Sequence, residues 1–428
     1  MEEAAKAFLG RFMEEFPAAL QPGDALPLSP LSRSKLSLDE VHGESLELGL
    51  RLLATRNAPP VLSTLMCQAT LSELLKCDLS PFYCPQEDEA DQEDQQEGVL
   101  LQSEPTQRLF FNKLREVCFT WYQNLPPLPA ASTRFLLCSV HAIRNTRRKM
   151  EDKHVTLAEF NQLLGLQDGV ERAYYAVFDG HGGMDAATYA ATHLHVTLSQ
   201  QETLHSNTAA AFKMAFSQTD DMFKHKAKRE RLRSGSTGVA VLLQDQSLTV
   251  SWLGDSQAML VRQGQAVSLM DPHKPEREDE KQRIEDLGGC ITFMGCWRVN
   301  GTYAVSRAIG DFDQKPYVSG DADCATIQLS GNEDYVLLAC DGFFDTVKPA
   351  EVPQLVLEAL QDPGDPEGAE DEESEIAAGK SIAQKLVTHA KMAGSNDNIT
   401  VVVVFLRPPK LLVAEDTHTV VKEAESGL

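Results

Sequence analysis

Three apolar runs in this 428-residue chain end in the same way: AVF-Asp179-Gly180, SWLG-Asp255-Ser256 and LLAC-Asp341-Gly342. A fourth, ITVVVVF, is preceded by Asp397 in GSNDN. Any single Asp-Gly pair reads as turn chemistry. Four aspartates at the ends of buried strands are harder to dismiss. If the sheets bring those ends to one rim, the carboxylates repel and raise one another's pKa unless a cation neutralises them. Convergence therefore predicts metal, and an oxygen-only donor set without His or Cys suits Mg2+ or Mn2+ rather than Zn2+. An EF-hand is not the source, because D-x-[DN]-x-[DN]-G is absent, even near Asp311–Asp313 and Asp321–Asp323.

The elements that must position these residues are short. AYYAVF (173–178), STGVAVLL (236–243), SLTVSWL (247–253), AMLVR (258–262), AVSLM (266–270), YVLLA (335–339) and ITVVVVF (399–405) read as strands. Turns at Gln244–Gln246 and Gln263–Gly264 are too brief for a parallel crossover, so the strands form antiparallel hairpins and a doubly wound nucleotide fold is excluded. Helical stripes occur at Phe212, Phe216, Thr219 and Phe223, and at Ile382, Leu386 and Ala390 before Gly394. The economical architecture is α+β: two antiparallel sheets packed face to face with helices outside. Ahead of it, Leu71, Leu74, Leu75 and Leu79 mark an N-terminal helical region over 1–84, an acidic linker follows at 85–98, and Phe110, Leu114, Val117 and Trp121 mark a helical segment within 99–130 that stops at LPPLP. The β-rich domain is expected over 131–407, with an acidic surface loop at 362–375 and a polar tail at 408–428.

Composition limits the partners. Hydrophobic residues at 42% and charged residues at 24% describe an ordinary globular protein. A net charge of −24 disfavours nucleic acid as a ligand. Glu87–Glu97 and Asp362–Glu375 together hold fifteen carboxylates and no Lys or Arg, so the rest of the chain is only mildly acidic. The run Val401–Leu406 is far short of the roughly 20 residues that cross a bilayer, and no membrane association is expected. The N-terminus lacks a secretory pattern, and the nine cysteines are odd in number without a C-x-x-C pair. A cytoplasmic protein with reduced thiols is expected, with the nucleus as a second compartment.

Several segments carry a resemblance. RRKMEDKH (147–154), VFDGHGG (177–183), SGSTGVAVL (234–242), WLGDSQAML (252–260), RVNGTYAVSRAIGDFDQK (298–315), ACDGFFD (339–345) and GSNDNIT (394–400) resemble, in family order, the signature motifs of PPM-type, or type-2C, metal-dependent protein Ser/Thr phosphatases. The sequence around them is most similar to the calmodulin-dependent-kinase phosphatase, or partner-of-PIX, subfamily. The resemblance implies an α-β-β-α sandwich with two metal ions in the cleft between the sheets. By motif position Asp179 would bridge the ions, Asp341 and Asp397 would bind one, and Glu151 and the Gly180 carbonyl the other. Asp152 would hold a metal-bound water, and Asp255 would join Asp341 at a looser third ion. Arg147 would grip the substrate phosphate and His181 would be the general acid. A dinuclear centre can activate a hydroxide for direct attack on a phosphomonoester, with no covalent phospho-enzyme.

Plainer readings stand beside these. Arg147 and Arg148 could be a solvated pair, and only motif position favours Arg147. His181 in a glycine turn would by itself be a surface residue. Ser306, Arg307, Gly310 and Asp311 shape the floor of the cleft and receive no chemical step. The basic run Lys224–Arg233 is an exposed helix face, or else a dock for an acidic partner. The leading reading is an Mg2+- or Mn2+-dependent protein phosphatase that acts on phosphorylated calmodulin-dependent and p21-activated kinases, with a PIX-type adaptor as partner of the N-terminal region. The alternative is an adaptor or scaffold whose N-terminal region binds signalling partners. A passive Ca2+-binding module would leave Arg147 and His181 without purpose.

Overall fold

The computed structural model describes residues 2–32, 34–85, 99–130, 132, 134–361 and 372–414, leaving aside the side chains of 372–375. The acidic linker from 86 to 98, the acidic loop through 371 and the tail beyond 414 lie outside the described residues. The chain divides into two compact units, one of residues 1–131 with 159–171 and one of 132–158 with 172–428. Among the described residues no helix is long and apolar enough to cross a membrane.

The first unit is helical: α1 (Glu2–Glu15), α2 (Leu38–Ala54), α3 (Pro60–Leu74), α4 (Ser103–Gln123) and the short α5 (Phe160–Leu164). Apolar side chains at helical spacing close its core, with Phe8, Phe12, Leu46, Leu53, Met66, Phe110, Phe111 and Leu114 all at 2% exposure or less. The stripe expected to run through Leu79 is cut short. α3 ends at Leu74, and Leu75 is exposed. The sequence assigns 159–171 to the β-rich domain, whereas here the segment clusters with the helices, because Phe160 and Leu163 are fully buried and α5 packs on α3.

The second unit holds ten principal strands: β1 (Leu137–Ile143), β2 (Lys153–Leu157), β3 (Arg172–Phe178), β4 (Gly238–Gln244), β5 (Ser247–Leu253), β6 (Gln257–Arg262), β7 (Gln265–Ser268), β8 (Asp323–Gln328), β9 (Glu333–Ala339) and β10 (Ile399–Phe405). They form two antiparallel five-stranded sheets, ordered β7-β6-β9-β10-β1 and β8-β5-β4-β3-β2. Alternation of side chains along each strand gives each sheet two buried faces. Val177, Val241, Val250, Leu260, Leu338 and Val402 meet between the sheets. α9 (Asp341–Phe344), α10 (Val352–Gln361) and α11 (Glu372–Met392) cover the outer face of the first sheet, where Leu337, Val401 and Val403 pack with Phe343, Val356 and Leu386. α6 (Asp185–Ser199) and α7 (Thr208–Glu230) cover the second. The architecture is the α-β-β-α sandwich expected from the sequence.

Candidate metal centre and active site

Strand register decides which residues meet. In the second sheet Phe178 opposes Lys153, Val177 opposes Val239, and Gly238 opposes Leu253. Asp179, the Glu151–Asp152 pair and Asp255 therefore leave that sheet at one end. In the first sheet Ala339 opposes both Gln257 and Val401, so Asp341 and Asp397 leave at one end as well. The two ends open into a cleft of about 780 Å3 whose wall includes Arg147, Glu151, Asp179, Gly180, His181, Asp255, Asp341 and Asp397. Asp152 lies buried at 3% exposure and fastens one sheet edge to the other sheet: Thr400 Oγ1 donates to its Oδ2 at 2.7 Å.

The carboxylates crowd one another. Asp179 and Asp341 offer oxygens within 4.8 Å of each other and of the Cys340 sulfur. Burial, then the charges of Asp341, Asp152 and Asp255, push Asp179 well above the ordinary carboxylate range. Burial, with repulsion from Asp341, likewise lifts Asp152 and Asp255 each to about 7. Asp341 is raised by burial and by Asp397, against a hydrogen bond shared with Asp179. Such a cluster is costly for the protein alone, and Asp152 Oδ1 is buried with no hydrogen-bond partner among the described residues. Cys340 does not compete as a ligand. Its sulfur accepts from the Thr400 N–H at 3.2 Å and donates to the Asn398 carbonyl at 3.5 Å, and burial keeps it a thiol. What remains is an oxygen donor set with excess negative charge, which fits a hard divalent cation.

Close backbone approach builds the rest of the site. A Cβ on Gly180 would lie 2.5 Å from the Glu151 carbonyl, so only glycine lets these two segments touch. The Asp179 carbonyl accepts from the Thr237 N–H at 2.9 Å and the Ser236 hydroxyl at 3.1 Å, and Thr237 Oγ1 bonds Ser256 Oγ at 2.7 Å. Asn398 fastens the loop before β2: its Oδ1 accepts from the Glu151 N–H at 2.8 Å, and its Nδ2 donates to the Arg144 and Lys149 carbonyls at 2.9 and 3.0 Å. Arg147 stands at the mouth, ion-paired with Asp397 and with its side chain 60% exposed, which leaves its guanidinium reachable by a ligand.

His181 occupies a short β-bridge with Gly235, and its Nε2 is 2.6 Å from Asp311 Oδ2. Burial alone would lower its pKa, but the Asp311 bond and the charges of Asp311, Asp255 and Glu151 hold it above the ordinary value. The sequence reading names the acidic residues that line this cleft, gives Asp311 a place in its floor but no chemical step, and assigns no part to Asn398, Thr400, Ser236 or Thr237. The Ser/Thr pair lies in a quoted motif, SGSTGVAVL, and Asp311 in another, so the signal was present without the contact.

Comparison with known proteins identifies the family. The family model described as protein phosphatase 2C matches residues 136–399, and the chain belongs to that family, which is Mg2+- or Mn2+-dependent: it is a protein Ser/Thr phosphatase. Within it the chain is similar to phosphatases of the calmodulin-dependent-kinase phosphatase and partner-of-PIX type. It is 51% identical over 417 residues to human protein phosphatase 1F, covering 96% of this chain and 89% of that one. To human protein phosphatase 1E it is 50% identical over 386 residues, covering 89% of this chain and 49% of the relative. The structure of a C. elegans sex determining protein shares the fold, with a TM-score of 0.71 and 21% identity over 97% of both chains.

Proposed function

We propose that the enzyme hydrolyses phosphoserine and phosphothreonine at a dinuclear centre in this cleft. Asp179, Asp341 and Asp397 would hold one cation, Asp179, Glu151 and the Gly180 carbonyl a second, and Asp255 with Asp341 a third, looser one. When bound, the cations supply positive charge to the phosphoryl oxygens and acidify water toward neutrality. Asp152 orients water from its buried position, Arg147 exchanges its Asp397 partner for the substrate phosphate through its planar fork, and His181 protonates the departing serine or threonine oxygen. The observation that carries this reading is the approach of Asp179 and Asp341 to within 4.8 Å in a cleft that also holds Arg147 and His181.

Substrates follow from the subfamily resemblance: autophosphorylated calmodulin-dependent and p21-activated kinases, met in the cytoplasm or nucleus, with a PIX-type adaptor on the helical unit. Dephosphorylation of an autophosphorylated calmodulin-dependent kinase, compared with an unrelated phosphoprotein, tests this. A preference of tenfold or more in kcat/KM supports the assignment, and equal rates reject it. Isothermal titration with Mn2+ tests the ion count: two tight sites are expected, and a single site contradicts the dinuclear centre.

A further inference from the structure

The loop carrying Asp311 is built to aim one side chain. Gly310 and Asp311 both take left-handed backbone conformations, at φ +81° and +48°, of which the second is tolerated by few residues besides Asp and Asn. The Gly310 N–H is held by Asp220 Oδ1 at 2.7 Å, and Asp220 is held in turn by Lys315 Nζ at 2.6 Å. Opposite the carboxylate stands Gly235, where a Cβ would fall 2.2 Å from Asp311 Oδ2. The glycine therefore makes room for the acid, and its own strand residue pairs with His181. The result is a fully buried carboxylate against Nε2 of a ring that is 32% exposed and lines the cleft, with Asp311 Oδ1 left without a partner among the described residues.

A carboxylate accepts but does not donate, so the bonded ring nitrogen carries the proton. We propose that Asp311 is the positioning residue of the general acid: it fixes His181 with Nε2–H turned inward, so that Nδ1 is the nitrogen that delivers the proton to the leaving group. This deepens, and rests on, the assignment of His181 as acid. As water oxygen bonds to phosphorus, giving up one proton to solvent, and the ester P–O bond breaks, that bond's electron pair leaves on the serine or threonine oxygen. The Nδ1 proton is transferred to that oxygen. The imidazole is left neutral, still donating Nε2–H to Asp311, and solvent restores the Nδ1 proton. A purely structural Asp311 would not care what leaves. A positioning residue does, because an alkoxide needs a proton where a nitrophenolate hardly does.

The test compares wild type, Asp311→Asn and His181→Ala, each saturated with Mn2+, on a phosphothreonine peptide and on p-nitrophenyl phosphate. Asp311→Asn should lower kcat on the peptide at least tenfold more than on the aryl ester, with KM for the peptide changed less than threefold. Equal losses on both substrates, or no loss, overturn the proposal. His181→Ala is the separate arm: should it fail to discriminate between leaving groups, the acid assignment falls. The ring geometry is then still decided by the long-range 1H–15N spectrum of the metal-loaded protein. Protonated Nε2 in wild type and a changed tautomer signature in Asp311→Asn support the positioning role, and protonation at Nδ1 alone in wild type overturns it. The spectrum also covers the case in which Asp311→Asn folds poorly, since the wild-type tautomer answers by itself.

Discussion

Neutralising one rim carboxylate separates its cost to folding from its use in catalysis. Asp341 is held among Asp179, Asp397 and Asp345, so in metal-free protein its charge works against the fold. Asp341→Asn should raise the Tm measured in EDTA by roughly 1–2 °C, the shift expected for about 1 kcal/mol in a unit of this size, and abolish the further rise produced by Mn2+. A lower Tm in EDTA would mean that the carboxylate contributes stability without an ion. Asn398 is the opposite kind of residue. Asn398→Ala removes three partly buried hydrogen bonds to the loop bearing Arg147 and Glu151 and should cost about 2–3 kcal/mol in urea unfolding. Asp179, Asp255, Asp341 and Asp397 were legible in sequence because each adjoins a strand whose apolar run is plain, whereas Glu151 and Asp152, beside KHVTL, came only from the family resemblance. Asn398, Thr400 and Asp311 were not, because their work is done on partners 247, 248 and 130 residues away, and no local pattern encodes that.

Elements differ in how openly they announce themselves. The seven strands read from sequence all formed, and those in the middle of the sheets are near-continuous apolar runs because both faces are buried, as the unbroken burial of β3, β9 and β10 shows. Of the ten principal strands, the three that escaped notice, LCSVHAI, KHVTL and DCATIQ, are all edge strands with partly exposed side chains and polar residues interspersed. One brace is equally hidden. On α8 (Glu278–Asp286), Glu280 is 1% exposed and accepts from Arg307 at 2.6 Å and Arg283 at 2.9 Å, tying the helix to the loop that leads into Asp311. Burial alone would raise its carboxyl, but the two arginines and Ser306 bring it down to about 2. A folded-state pKa below the unfolded value means stability that is present above about pH 4.5 and lost as the pH falls toward 2. Glu280→Gln should therefore cost about 3 kcal/mol at pH 7. The gap between the two proteins in urea unfolding should narrow across that acid range. A constant gap would show that packing, not charge, carries the brace.

At the scale of the whole molecule, the helical unit has a core of its own and can be perturbed by itself. Gly49 of α2 lies where a Cβ would meet the Cys67 sulfur at 2.7 Å and the Phe110 ring at 3.0 Å. Gly49→Val should destabilise this unit by roughly 1–3 kcal/mol through overpacking. If the unit serves to dock kinases, turnover of a short phosphopeptide should stay within about twofold while kinase dephosphorylation falls. Parallel losses on both substrates would argue against docking. The central claim, that remote carboxylates gather to hold the cations on which phosphoester hydrolysis depends, meets its most direct test in phosphate release from a phosphothreonine peptide. It should be assayed with Mn2+, with EDTA, and with Mn2+ on Asp341→Asn. The account predicts turnover in the first case and none above background in the other two, and turnover that survives either chelation or the substitution would contradict it.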